Sequence, residues 1–176
     1  HGTGEARDSC AETNNGIEGS GVCPLCRPLM VRVGDSFVTD VQIYSQAVVF
    51  AVDSGASVIQ EALGTVDFST FSRTAMDYAY AHGVTIVASA ADENSFHHNY
   101  PGTADHTIYV HAIRYDDSEP QLSTTFLNYN NCTNYGAQLQ LSTPGTGCSS
   151  EATGKTSGMV GLLYGQALGM GLDPPL

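Results

Sequence analysis

Basic residues are scarce in this chain: 6 Lys and Arg stand against 18 Asp and Glu in 176 residues, for a formal net charge of -12. Phosphate backbones and anionic membrane surfaces are bound through clustered Lys and Arg, so the balance argues against nucleic acid and membranes as partners. Long apolar runs are missing too. The run Ala47–Val52 stops at Asp53, and no stretch approaches the roughly 18 uninterrupted apolar residues of a membrane span. Zinc spacing is incomplete. Cys23-Pro24-Leu25-Cys26 is a C-x-x-C, but Cys132 and Cys148 stand singly, and a structural zinc site needs a second close pair. Nor does the pair open a helix after a strand, as a redox motif does. His97, His98, His106 and His111 include no H-x-x-x-H helix, so no metal is assigned to them. Repeats and low-complexity tracts are absent.

What is present reads as one globular, loop-rich domain: hydrophobic residues make up 41%, charged residues 14%, and there are 19 glycines. The five cysteines suggest one or two disulfides in an oxidising compartment with one thiol left over. Cys132 with Cys148 would close a short loop, and Cys23 with Cys26 a local one, but the connectivity stays open. The acidic balance is compatible with bound Ca²⁺, which takes oxygen ligands, and equally with a plain solvated acidic surface.

Helical and strand patterns alternate along the chain, the signature of an α/β sheet with crossover helices. Strands are predicted at Leu29–Val33, Ser57–Leu63, Val84–Ala90, Thr107–Ile113 and Leu139–Ser142. The clearest is Val84–Ala90, where β-branched residues crowd a run too short for a helix. Helices are predicted over Val38–Asp53, ending at Gly55, and over Asp67–His82. The second would be capped at Thr70 or Ser72, with a buried stripe of Ala75, Met76, Ala79 and Tyr80. A last helix, rich in small residues, is predicted over Ser157–Leu168.

Five blocks in order resemble the subtilase family of serine peptidases. His1-Gly2-Thr3 with Ala6 resembles H-G-T-x-x-A-G. Asn14-Asn15-Gly16-Ile17, Gly21-Val22 and Pro24 resemble the loop N-N-G-I-G-x-x-G-V-A-P. Ala51–Ile59 with Leu63-Gly64 is similar to the helix and strand that end in the substrate-binding S-L-G, with Ala62 in place of its Ser. Ala81–Ala90 and Tyr100-Pro101 resemble the block A-x-x-G-V-x-V-V-A-A-A-G-N…Y-P-A. Phe126–Tyr129, Leu141–Gly145 and Val160-Gly161 resemble F-S-N-Y-G, L-x-A-P-G and the end of the nucleophile helix. The resemblance implies a three-layer α/β fold, with a mostly parallel sheet, helices on both faces and the site at the carboxyl ends of the strands. It also implies a domain over residues 1–176 incomplete at both ends. The Asp of the triad and a central strand are then expected from a preceding segment or a partner chain.

Residue by residue, the resemblance puts His1 in the place of the general base. Asp92 falls where the family has its oxyanion-hole Asn, and an ionised carboxylate accepts hydrogen bonds but donates none. Registered on Gly161, the motif G-T-S-M-A-x-P-H-V-A-G sets Thr153 in the nucleophile's place, where a β-branched residue is restricted at χ1. Ser149 or Ser150 would need a shift of three or four residues, expected to carry the hydroxyl out of the first helical turn. Ala62, Leu63 and Gly64 would form the substrate strand. Two functional expectations follow. The first is a degenerate, non-catalytic peptidase domain that binds a peptide or protein ligand within a larger extracellular or cell-surface protein. The second is an active serine endopeptidase with His1 as base and Ser150 or Thr153 as nucleophile. Asn131-Cys132-Thr133 fits a glycosylation sequon.

Overall fold

In the computed structural model, which describes residues 1–34, 40–65, 68–113 and 132–172, two helices begin where a capping side chain takes up the first free N–H groups. Asp40 caps helix α2 (Val41–Asp53), its Oδ1 accepting from the amides of Gln42 at 2.8 Å and Ile43 at 3.4 Å. Ser69, rather than Thr70 or Ser72, caps α3 (Thr70–Ala81). Ser69 and Ser72 exchange side-chain and backbone bonds in a capping box. Helix α1 covers Gly2–Cys10 and α4 covers Cys148–Gly169.

Among the described residues four strands form one sheet: β1 (Val58–Glu61), β2 (Thr85–Ser89), β3 (Thr107–Ile113) and β4 (Leu141–Pro144). They lie side by side in chain order, and every pairing is parallel, with Ile59 opposite Ile86, Val87 opposite Ile108 and Ala112 opposite Thr143. Parallel neighbours need crossovers, and α3 and α4 cover opposite faces of the sheet. Alternation along β2 sorts the core into two layers. Ile86 turns toward Tyr44, Val48, Met76 and Ala79 of α2 and α3. Val87 turns the other way, toward Ala152, Val160 and Tyr164 of α4. Burying each such large side chain contributes about 1.5–3 kcal/mol. Helix α1 packs against α4 and is also bonded by Gln60 of β1. Among the described residues no helix is long and apolar enough to cross a membrane.

Several boundaries differ from the sequence reading. Leu29–Val33 is not a strand: it lies outside the sheet, and Leu29 and Met30 are exposed, with no adjoining strand among the described residues to bond. The last helix starts at Cys148, nine residues before Ser157. Its first half, full of Gly, Ser and Thr, has poor intrinsic helix propensity and is held by packing instead. Helix α1 carries no apolar periodicity that would announce it. Tyr80 leaves the buried stripe of α3 and stacks on His106. The expected helix starts at Val38 and Asp67, the block Phe126–Tyr129 and the first residue of the sequon lie outside the described residues. Cys23 pairs with Cys26 and Cys132 with Cys148, their Cα atoms 5.3 and 5.4 Å apart, and Cys10 is free.

Candidate active site

Three chain segments converge at the carboxyl ends of the strands. Ala62, Leu63 and Gly64 leave β1, Asp92 follows β2, and the start of α4 follows β4. His1 arrives from outside the sheet, at the head of α1, where its backbone carbonyl accepts from the amides of Gly4 and Glu5.

The approach of α1 to α4 is made by glycine. A Cβ on Gly154 would stand 2.9 Å from both Asp8 Cβ and the carbonyl oxygen of Glu5. One on Gly158 would meet Val22 Cβ at 2.7 Å and the carbonyl of Ser9 at 3.0 Å. These positions are four apart on one helix face, so α1 rests on nearly bare backbone. Gln60 Nε2 also donates to the carbonyl of Glu5 at 3.0 Å and ties α1 to β1.

This packing sets His1 Nε2 3.0 Å from Ser150 Oγ, across 149 residues of sequence. Ser150 is the third residue of α4 and lies inside its first turn, contrary to the expected displacement. Thr153 is elsewhere. It is wholly buried, and its Oγ1 donates to the carbonyl of Ser149 at 2.8 Å, so the register anchored on Gly161 places no hydroxyl at His1. Counting eight residues back from Gly158 instead reaches Ser150. Ser157 is likewise internal, its hydroxyl donating to the carbonyl of Thr153 at 2.8 Å.

Asp92 stands at the head of the same helix. Its Oδ1 accepts from the amide of Ser149 at 2.9 Å and from its hydroxyl at 2.6 Å. A carboxylate there suits the positive end of the helix dipole, and it occupies a donor that α4 cannot satisfy internally. Cys148, at φ 57°, is joined to Cys132 just ahead of these residues. Among the described residues Asp92, Cys132 and Cys148 form the one cluster of metal-capable side chains, and its two sulfurs are already bonded to each other. The segment Ala62–Gly64 runs half-buried beside this junction. The carbonyl of Leu63 accepts from Ser89 Oγ at 3.5 Å, and Gly64 lies against the Asn99 side chain.

Acidic groups crowd the seam between α1 and α4. Glu5, Asp8 and Glu151 line a cleft of about 400 Å³. Burial first, then the charges of Asp8 and Glu151, raise the Glu5 pKa to about 7. Burial and Glu151 also raise Asp8. Burial works against Glu151 as well. Hydrogen bonds from Lys155 and from the backbone amides of Gly147 and Thr146 outweigh it and hold Glu151 below the usual range. Neither Glu5 nor Glu151 is singled out by the sequence motifs: Glu5 falls on an unspecified position of H-G-T-x-x-A-G, and Glu151 departs from the motif residue in either register. The signal that could have found Glu5 is its i,i+4 spacing from His1.

Hydroxyl and imidazole thus meet at a helix N-terminus, an arrangement that can pair a nucleophile with a base. The family model for subtilases, peptidase S8, matches residues 1–169. The thermophilic serine proteinase of Bacillus sp. (strain AK1) is 32% identical over 158 residues, covering 88% of this chain and 36% of that protein. Thermitase of Thermoactinomyces vulgaris is 28% identical over 181 residues, covering 94% of this chain and 61% of that protein. The chain thus spans between about a third and three fifths of these relatives. Among solved structures, the patellamide maturation protease PatA superposes with a TM-score of 0.80 at 21% identity, over 99% of this chain and 68% of that one. The prenylagaramide maturation protease PagA gives 0.79 at 20%, over 97% and 66%. These likenesses agree with the parallel sheet, the helices on both its faces and the motif order, and the chain belongs to the subtilase family.

Proposed function

We propose that this subtilisin-like peptidase domain is a serine-type endopeptidase in which Ser150 is the nucleophile and His1 the general base. The observation that carries the reading is the 3.0 Å contact between His1 Nε2 and Ser150 Oγ. In the reaction Ser150 Oγ attacks the peptide carbonyl while its proton passes to His1 Nε2. His1 then gives that proton to the leaving amine, and water releases the acyl group by the same path in reverse. The carboxylate that orients the other ring nitrogen is expected from a segment ahead of His1 or from a partner chain. The paired cysteines support an oxidising, extracellular setting.

A second reading, a peptide-binding module without catalysis, is favoured by Asp92. An ionised carboxylate beside Ser149 repels the oxyanion instead of donating to it, and losing one such donor costs on the order of 10²- to 10³-fold in rate. A fluorophosphonate probe on the full-length protein separates the two readings. Covalent labelling that disappears in Ser150→Ala and in His1→Ala, and survives in Thr153→Val, is expected of the peptidase. Absence of labelling in the wild type favours the module.

A further inference from the structure

His1 Nε2 has a second neighbour. Glu5, one turn along α1, places Oε1 3.5 Å from the same ring nitrogen that touches Ser150. An ordinary i,i+4 pair on a helix surface keeps its carboxylate in water. Here the Glu5 side chain is only 14% exposed, and its other oxygen, Oε2, is buried with no hydrogen-bond partner. Its backbone is fixed as well, through the bond from Gln60. The groups facing it are Asp8 on α1, Glu151 on α4 and Asp92 after β2. The nearby cations are engaged, Lys155 with Glu151 and Arg7 with Glu18.

We propose that Glu5 is a positioning residue for His1, its carboxylate competing with Ser150 for Nε2 in the resting site and holding the Nε2–H once the Ser150 proton has moved. The proposal rests on the peptidase reading above. When Ser150 attacks, the proton forms a bond to Nε2 and the ring becomes a cation. Glu5 Oε1 then stabilises that cation until the proton leaves with the amine. The same attraction acts before the reaction. An ionised Glu5 favours imidazolium over imidazole, so it raises the pH at which Nε2 is free to accept from Ser150. Burial and the neighbouring carboxylates raise the Glu5 pKa to about 7, so its charge, and with it this pull on the ring, is complete only above that range.

The test is an NMR titration of the His1 imidazole in the full-length protein, with the signal assigned by its loss in His1→Gln. Removing the negative charge destabilises the imidazolium, so Glu5→Gln should lower the His1 midpoint by about one unit. The acidic limb of the fluorophosphonate labelling rate should move down with it. Glu5→Asp, which keeps the charge but withdraws it, should give a smaller downward shift, and it carries the test if the Gln variant does not fold. A His1 midpoint that stays put in these variants overturns the role of Glu5, whether or not the protein labels. A wild type that never labels, with the midpoint shifting as expected, rejects the peptidase reading instead.

Discussion

Ser150 and Thr153 lie within one turn of α4, yet their hydroxyls face different partners: Ser150 meets His1, whereas Thr153 bonds the helix's own backbone. Thr153→Val should therefore cost about 1 kcal/mol in stability, the worth of one buried hydrogen bond, and leave labelling at Ser150 intact. Thermal melting and probe labelling of the same variant check both halves. Asp92 allows a prediction in the other direction. Asp92→Asn keeps an oxygen for the amide of Ser149 and adds an N–H for the oxyanion, so the labelling rate should rise at least about 10-fold. An unchanged rate would mean that the side chain at this position does not reach the oxyanion. His1 and Asp92 are legible in the sequence because each sits inside a motif with recognisable flanks. For Glu5 only the i,i+4 spacing from His1 is legible, because burial against the distant helix α4 is what makes its carboxyl unusual, and nothing local reports that burial.

Helix α4 shows why an element can be visible while its register is hidden. Glycines at 154, 158 and 161 recur on nearly the same face, and each closely approaches another segment: Gly154 meets Asp8, Gly158 meets Val22 and Ser9, and Gly161 meets Cys26. A motif that asks for one glycine eight residues after the nucleophile can be laid on this helix in more than one way. The packing of α1, which brings His1 to Ser150, is what favours the register on Gly158 in the proposed reading. The start of the helix is hidden for a related reason. Gly147 supplies no capping side chain, and the Glu151 carboxylate instead reaches back to the amides of Thr146 and Gly147. The Cys132–Cys148 bond pins this same end, closing a separation of 16 residues. Replacing both cysteines by Ser should lower stability by about 3 kcal/mol, read as a drop in Tm, and should slow labelling because Cys148 is two residues from Ser150. A double variant as stable as the wild type would remove this bond from the account of how Ser150 is held.

Across the whole molecule, the parallel sheet and its helix-covered faces are the most legible part. β2 and β3 lie within or on their predicted bounds, because dense β-branched runs need only local reading. The layer beneath β1 holds something that pattern alone does not suggest. Glu61 is fully buried, accepts from the Tyr44 hydroxyl at 2.7 Å, and leaves Oε2 without a partner. Burial raises its pKa from 4.5 to about 8, although the Tyr44 hydrogen bond pulls the other way. The folded protein therefore holds a proton that the unfolded chain releases above about pH 4.5. Stability from this group is complete below that value, falls as pH rises toward about 8, and then levels. The slope should reach up to about 1.4 kcal/mol per pH unit. Denaturant melts across this range should show the decline in the wild type and a flatter profile in Glu61→Gln. Equal slopes in the two proteins would mean that Glu61 is not the group responsible.

The bare contact between α1 and α4 bears on how freely the surrounding sequence can change. The separation between His1 and Ser150 is set where main chain meets main chain, at Gly154 and Gly158, and not by the side chains that cover the two helices. Substitutions over the rest of either surface can alter charge or solubility while the reach from His1 to Ser150 stays fixed. The intolerance of the site is thus concentrated in two positions that have no side chain to vary.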